Sequence, residues 1–212
     1  MRSMAYGAVI AAAGLSSRMG EFKPLLRIRD KTMIATLVGG LRAAGVDEIL
    51  VVTGHNAERL EAHLAELGVD FLRNADYAHT QMFESICLGL RGLRRPCEGV
   101  FVTPGDVPLV QPETLREMQR RKAAVVRPVY GGRQGHPVLL SAEAVTQVLA
   151  YGGPDGLRGA LRQLYDKTER VEVPDEGVLL DVDTPEEFQM MLRRETEREN
   201  LRLMAAAQEV GA

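Results

Sequence analysis

The sequence has little of what marks secreted, membrane-spanning or nucleic-acid-coating proteins. Its 212 residues include two cysteines, Cys87 and Cys97, which are too few for a disulfide framework and lack a cysteine or histidine partner at metal-site spacing. We expect both to be buried or incidental thiols. The apolar stretch from Ala8 to Ala13 is too short for a signal-peptide core or a membrane span. We therefore expect a cytoplasmic protein with no membrane contact.

The sequence also lacks a large excess of either charge and any sign that it is divided into several domains. Lysine and arginine total 26 against 29 acidic residues, so the basic excess of a nucleic-acid-binding protein is absent. No repeat, low-complexity segment or Pro/Gly/Ser-rich linker divides the chain, which at 23.3 kDa can bury about 70% of its unfolded surface. We predict one domain over residues 1–192 and a helical extension over 193–212.

The extension has mixed charge, which leaves two interpretations open. It is either a solvated helix end or, through Leu201, Leu203 and Met204, a helix that contacts a partner or a second copy. A monomer and a homodimer both remain open.

Within the domain, apolar runs of strand length alternate with helical stretches. This alternation predicts a three-layer αβα sandwich, and the continuous apolar character of several runs suits parallel strands covered on both faces. The region 124–140 looks like an inserted hairpin. The predicted strands are 6–12, 47–53, 69–73, 98–103, 124–130, 136–140 and 169–173. The predicted helices are 32–44, 56–67, 80–93, 112–122, 141–150 and 155–165, with a long one from Thr184.

A glycine- and serine-rich segment with two basic residues, Ala11 to Pro24, directly follows the first strand. Its glycines allow backbone N–H groups to approach phosphate oxygens, whose charge Arg18 and Lys23 would neutralise. This combination favours a triphosphate ligand; the alternative is a tight turn with solvated basic side chains. The P-loop and dinucleotide patterns are absent, since Pro24 follows Lys23 and Gly14 has no glycine two residues later.

Three acidic residues stand where strands of the predicted sheet end or turn. Asp106 follows strand 98–103, at the edge where open α/β sheets bind ligands, and a carboxylate there suits Mg²⁺. The alternative is an Asx turn between prolines. Asp181 and Asp183 lie on one side of an extended segment. The segment precedes a helix cap at Thr184 to Glu187, and capping accounts for the presence of Thr184 but not for that of the two aspartates.

Two further residues are candidates for binding a second substrate. His136, between Gly135 and Pro137, suits contact with a phosphate or a nucleotide, or is simply a turn residue. Arg158 follows a glycine-rich loop and is placed to hold an acceptor phosphate.

The segment Ala11 to Pro24, AAAGLSSRMGEFKP, resembles the A-A-G-x-S-x-R-M-G-x-x-K-P motif of the MobA-like nucleoside-triphosphate transferases. That family includes molybdenum cofactor cytidylyltransferases and guanylyltransferases. The resemblance covers residues 5 to 192 and implies a Rossmann-like nucleotidyltransferase fold, the nucleotide-diphospho-sugar transferase fold, with a mostly parallel mixed sheet. Alanines at 12 and 13, where guanylyltransferases carry glycines, favour CTP over GTP.

The resemblance also implies roles for individual residues. The base and sugar would lie against Ala12, Ala13 and Gly14, while Ser16, Arg18 and Lys23 would hold phosphates. Asp106 would be one metal ligand. The D-x-D-T-P segment would supply the second, with Asp183 preferred over Asp181. G-H-P supports a site role for His136, and Asn74 and Ser85 would touch the nucleotide. Bulky residues at 81–83 depart from the family's small ones and leave the base and acceptor open.

The expected activity is a Mg²⁺-dependent nucleotidylyl transfer, with Mn²⁺ as the alternative metal. The protein would transfer NMP from an NTP to a small phosphorylated acceptor and release pyrophosphate, with CMP favoured over GMP and molybdopterin as the first choice of acceptor. The expected catalytic residues are Arg18, Lys23 and Asp106. The alternatives are a sugar-phosphate or polyol-phosphate nucleotidylyltransferase and a non-catalytic nucleotide-binding module that serves a molybdoenzyme maturation partner. An NAD-dependent oxidoreductase is less favoured.

Overall fold

The described residues form an eight-stranded mixed sheet with helices on both faces. The structure is a computed structural model that describes residues 5–14, 19 and 21–210, without the side chains of residues 202 and 205–210. The strand order is β10-β7-β9-β6-β1-β4-β5, with β8 paired to β7, and a separate hairpin joins β2 and β3. Only β8 and β9 run antiparallel to their neighbours in the large sheet.

The strands are β1 Tyr6–Ala12, β2 Arg27–Ile28, β3 Lys31–Thr32, β4 Val46–Thr53, β5 Asp70–Arg73, β6 Gly99–Pro104, β7 Val125–Tyr130, β8 Arg133–Gln134, β9 Val138–Ser141 and β10 Thr168–Glu172. The helices are α1 Met33–Ala43, α2 Ala57–Leu64, α3 Met82–Gly92, α4 Pro112–Gln119, α5 Ala142–Ala150, α6 Gly156–Gln163 and α7 Pro185–Val210.

Two apolar layers cover the sheet, because successive strand residues point to opposite faces. In β1, Ala8 and Ile10 face the layer formed by α1, α2 and α4, whereas Val9 faces the layer formed by α3, α5 and α6. The three-layer αβα sandwich with a mostly parallel sheet is thus confirmed. Within the described ranges, every helix is too short or too polar to span a bilayer.

The predicted strands and helices are all present, with ends shifted by a few residues. The helix predicted from residue 80 begins at Met82 because Gln81 forms its N-cap, and the Glu84 side chain accepts from the Gln81 backbone N–H. The prediction missed β2, β3 and β8, each two residues long and too short for a periodic pattern. Both cysteines are free, and burial raises the pKa of each thiol.

The last helix runs without a break past residue 192. It begins with the predicted capping box: Thr184 Oγ1 accepts from Glu187 N–H at 3.2 Å, and Glu187 Oε2 accepts from Thr184 N–H at 2.8 Å. Arg198 donates to the carbonyl of Leu109 at 3.1 Å, so the helix is attached to the domain this far along. The side chains of Leu201, Leu203 and Met204 are exposed.

We predict opposite effects of alanine at two helical glycines. A Cβ at Gly89 of α3 would lie 2.4 Å from Val9 Cγ1, whereas one at Gly39 of α1 would meet nothing within 4 Å. Gly89→Ala should therefore lower the free energy of unfolding by about 1–3 kcal/mol, and Gly39→Ala should raise it by about 0.4–1 kcal/mol. Urea unfolding measures both; equal effects at the two positions would contradict the close packing of α3 on β1.

Candidate active site

The candidate site lies at the carboxyl ends of β1 and β6. These strands are parallel neighbours, with Ala11 of β1 opposite Pro104 of β6. From β1 the chain first adds β4 and β5 on one side of the sheet, and it then adds β6 on the other side. Ligands of open α/β sheets bind at such a reversal of strand order. Beyond Pro104 the chain turns back over β1, and Gly105 N–H donates to the carbonyl of Ala11 at 3.0 Å.

A lysine at this edge is held by three oxygens from distant parts of the chain. Lys23 Nζ lies 2.7 Å from Asp183 Oδ1, 3.2 Å from Asp106 Oδ2 and 2.7 Å from the carbonyl oxygen of Val182. An ammonium group has three N–H donors, so each has an acceptor. The Lys23 side chain is 12% exposed and that of Asp183 46%, so the cluster is open to ligand on the aspartate side.

Local structure fixes each member of this cluster. Lys23 begins a short 3-10 helix, and the buried Pro24 sits at its first positions. Asp106 follows the turn at Gly105, and its carbonyl accepts from Val182 N–H at 3.2 Å. Val182 itself is fully buried, so the segment that carries Asp183 is anchored both to the apolar core and to Asp106.

Next to the cluster lies a cavity of about 370 Å³. Alanine, glycine and proline residues form much of its wall, so a ligand can approach the backbone closely. Its lining residues are Ala11, Ala12, Gly14, Lys23, Pro24, Met82, Pro104, Gly105, Asp106 and Asp183. The volume lies within the range of small-molecule sites.

Charge and burial compete within the cluster. Burial raises the pKa of Asp106 above its usual range; the neighbouring Lys23 ammonium opposes this, and Asp183 adds to it. Burial would lower the pKa of Lys23, but hydrogen bonds and charge from Asp183 and Asp106 outweigh it, so that pKa is raised. Lys23 is therefore charged at neutral pH.

The donor set fits a divalent cation of the Mg²⁺ type. Asp106 and Asp183 already converge on one positive centre, and carboxylate oxygens are hard ligands. Mg²⁺ is commonly held by one or two carboxylates together with substrate phosphates and water. No cluster of three or more His, Cys, Asp or Glu side chains suited to a metal occurs in the described part of the chain. The pair thus suits a metal that arrives with a phosphate ligand.

The alanines of the first loop have different surroundings. Ala12 and Gly14 line the cavity. Ala13 packs instead against Gly54, where an added Cβ would lie 2.9 Å from the Ala13 Cβ. Ser16 and Arg18, predicted to hold phosphates, lie outside the described residues. Of the phosphate-binding residues predicted in this loop, the structure therefore places Lys23.

Asn74 and Ser85 are buried and bonded to each other. Asn74 Nδ2 donates to Ser85 Oγ at 3.0 Å and to Thr80 Oγ1 at 2.8 Å, and its Oδ1 accepts from Asp76 N–H at 3.0 Å. Neither residue lines the cavity. In this structure they brace the loop that leads into α3, and nucleotide contact by either residue stays a prediction.

The predicted acceptor residues lie to one side of the lysine cluster. His136 N–H donates to the carbonyl of Val178 at 2.8 Å, and burial, followed by the charge of Arg127, lowers the pKa of its imidazole. Asp181 is exposed and acts on His136, opposing that shift; it is not among the cavity-lining residues. Arg158 is exposed near the start of α6.

Sequence reasoning missed a cavity residue at the start of α3. Met82 is 54% exposed and lines the cavity, whereas its neighbour Phe83 packs edge-on against Tyr151. The N-cap at Gln81 was the available signal, because it places Met82 in the first helical turn, at the carboxyl edge of the sheet.

We predict that Asp106→Asn makes the protein more stable relative to the native chain as pH rises. The raised pKa means that the folded protein binds the carboxyl proton more tightly than the unfolded chain does. That stabilisation is present at low pH and is lost as pH rises through the folded-state pKa. Because asparagine does not titrate, the difference in Tm should grow in favour of the variant between about pH 4 and about pH 7. Calorimetry measures it.

The matched control is Asp47→Asn, at an exposed aspartate near the amino end of β4. The difference in Tm between this variant and the native protein should change less over the same range, because the Asp47 side chain is exposed. A constant difference for Asp106→Asn would contradict the burial of that carboxyl group.

Comparisons with known proteins agree with this geometry. A family model described as the MobA-like NTP transferase domain matches residues 8–170. The chain is 29% identical over 191 residues to the molybdenum cofactor cytidylyltransferase of Escherichia coli, an alignment that covers 89% of this chain and 96% of the relative.

Solved structures show the same architecture. A nucleotidyl transferase from Methanothermobacter superposes with a TM-score of 0.80 at 26% identity, covering 92% of this chain and 99% of the other. The manganese complex of Rv0371c from Mycobacterium tuberculosis gives a TM-score of 0.74 at 26% identity, covering 90% and 99%. Since the family model matches most of its length, the chain belongs to the MobA-like NTP transferase family, whose members are nucleotidyltransferases.

Proposed function

We propose that this protein is a Mg²⁺-dependent cytidylyltransferase, which transfers CMP from CTP to a phosphorylated acceptor, molybdopterin, and releases pyrophosphate. The observation that carries the proposal is the Lys23 ammonium held by Asp106 and Asp183 beside the cavity at the carboxyl edge. The ammonium group suits the phosphates of a nucleotide, and the two carboxylates suit a divalent metal bound to those phosphates.

In this proposal the nucleotide lies along the end of β1. Ala12 and Gly14 form the cavity wall and allow the base and sugar to approach the backbone. Lys23 faces the phosphates, together with Ser16 and Arg18 of the same loop. On ligand binding Lys23 exchanges carboxylate oxygens for phosphate oxygens, which its flexible stem allows.

Asp106 and Asp183 are the proposed metal ligands. A divalent cation held there, Mg²⁺ or Mn²⁺, would supply positive charge to the phosphate oxygens of the nucleotide and orient them. The 24% exposed Asp106 side chain and the more open Asp183 provide two carboxylates while leaving positions for phosphate and water.

The reaction needs no nucleophile from the protein. A phosphate monoester is largely dianionic near neutral pH, so an acceptor phosphate oxygen attacks the α-phosphorus directly. The new P–O bond forms as the bond to the bridging oxygen between the α- and β-phosphorus breaks, and that oxygen leaves with the electron pair as part of pyrophosphate. Lys23, with Arg18, stabilises the charge that develops on the phosphate oxygens.

Two observations support the choice of substrates. The relative from Escherichia coli is named for cytidylyl transfer to the molybdenum cofactor and is aligned over nearly its full length. Alanines at 12 and 13 replace the glycines of the resembled guanylyltransferases, which favours CTP over GTP.

Two other functions are distinguished by the same assays. A sugar-phosphate or polyol-phosphate nucleotidylyltransferase would have the same lysine cluster but a different acceptor. A non-catalytic module that serves a molybdoenzyme would need neither Asp106 nor Asp183, and both are present with lysine between them. The carboxylate pair therefore favours an enzyme.

We predict that the purified protein releases pyrophosphate from CTP only when Mg²⁺ and molybdopterin are both present. Asp106→Asn should lower kcat/KM by at least about 10²-fold, because one of two charges that hold the metal is lost, while Asp47→Asn should keep native activity. A coupled pyrophosphate assay measures this, and circular dichroism checks that each variant is folded. Of CTP, GTP, UTP and ATP, CTP should give the largest rise in Tm.

Turnover with a sugar phosphate but not with molybdopterin would replace the proposed acceptor. Absence of pyrophosphate release with every acceptor, or native activity in Asp106→Asn, would contradict the proposed function.

A further inference from the structure

A half-buried arginine on β7 lies outside the lysine cluster and has no counter-ion among the residues that the structure describes. Among the described residues, Arg127 takes part in none of the salt bridges, and its Nε is buried without a hydrogen-bond partner. Burying a guanidinium group without an acceptor is costly. The cost is a reason to look for an anionic ligand.

Neighbouring charges increase this cost. Arg170 of β10 stands directly opposite Arg127 in the parallel pairing of the two strands. Burial lowers the pKa of Arg127, and the positive charges of Arg170 and then Arg158 lower it further. Arg158 comes from α6, which covers this face of the sheet. Arg127 is thus repelled by arginines from two other elements, and a bound anion would relieve this repulsion.

The histidine on the same side offers a second unused polar atom. His136 Nδ1 is buried without a hydrogen-bond partner, like Arg127 Nε. Gly135 N–H donates to the carbonyl of Pro128 at 2.9 Å, which ties the loop that carries His136 to the residue after Arg127. The charge of Arg127 acts on His136.

This group lies close to the lysine cluster. The segment 178–183 joins the two, because Val178 accepts from His136 N–H and Val182 donates to the Asp106 carbonyl. Asp181 acts on His136 and Asp183 contacts Lys23; residues two apart in an extended chain have Cα atoms about 7 Å apart. An anion beside His136 is thus within reach of a nucleotide at Lys23.

We propose that Arg127, with Arg158 and His136, forms the binding site for the phosphate group of the acceptor. Arginine presents a planar fork that binds phosphate oxygens in pairs. Arg127 supplies that fork from the rigid sheet, Arg158 closes over it from α6, and the His136 ring nitrogen completes the contacts. The identity of the acceptor rests on the proposed function; the phosphate site rests on these side chains.

The test compares Arg127→Met with Arg120→Met, at an exposed arginine at the far end of α4. Inorganic phosphate is the probe, titrated calorimetrically with CTP and Mg²⁺ present to fill the nucleotide site. Arg127→Met should weaken phosphate binding by at least about tenfold, the loss of one charge-assisted hydrogen bond. It should raise the KM for molybdopterin and leave the KM for CTP unchanged. Arg120→Met should match the native protein in all three.

The stability of the variant separates a binding role from a structural one. Because Arg127 forms no salt bridge with any described residue and its buried Nε lacks a hydrogen-bond partner, Arg127→Met should have an equal or higher Tm. Should Arg127→Met lose the fold, Arg127→Lys keeps the charge without the fork and should show intermediate phosphate affinity at native Tm.

Native phosphate affinity in either folded variant would overturn the proposal. Phosphate binding that depends on Arg127 in a protein that does not turn over CTP would instead contradict the proposed function alone.

Discussion

The contact between Lys23 and its three oxygen acceptors joins the parts of the chain on which the site depends. It links the loop after β1 to Asp106 after β6 and to Asp183 before α7, residues that are 83 and 160 positions away in sequence. Partial burial makes this ion pair matter, since exposed pairs contribute little and a buried carboxylate without its cation is costly. The cluster therefore holds the two carboxylates close to each other.

The sheet supplies the positions that this contact needs. Because β1 and β6 are parallel and adjacent, their carboxyl ends bring the glycine-rich loop and the Asp106 turn side by side. Val182, buried against Met33 and Met191, fixes the third segment. The parallel strands and this apolar contact thus bring Lys23, Asp106 and Asp183 together at the carboxyl edge of the sheet.

Much of this arrangement could be predicted from sequence. Continuous apolar strands and capped helices gave element positions because local periodicity and capping are short-range effects. Lys23 and Asp106 stood out as charged residues beside proline and glycine, and Asp183 stood out through the resembled D-x-D-T-P motif. Met82 could not be assigned, since whether a helix-start methionine faces a core or a cavity depends on packing. Arg127 did not stand out because, in sequence, it looks like any polar residue within a strand; its unbonded Nε and its register opposite Arg170 are visible only in the folded structure.

Under the proposed function, Asp106 and Asp183 together hold a divalent cation that arrives with the nucleotide. Electron paramagnetic resonance of Mn²⁺ in the presence of CTP measures this binding. With native protein and CTP present, the signal of free Mn²⁺ should fall much further than it does with CTP alone. This extra loss should disappear when Asp106→Asn or Asp183→Asn replaces the native protein. The same extra loss of signal in both variants as in the native protein would show that neither carboxylate holds the cation.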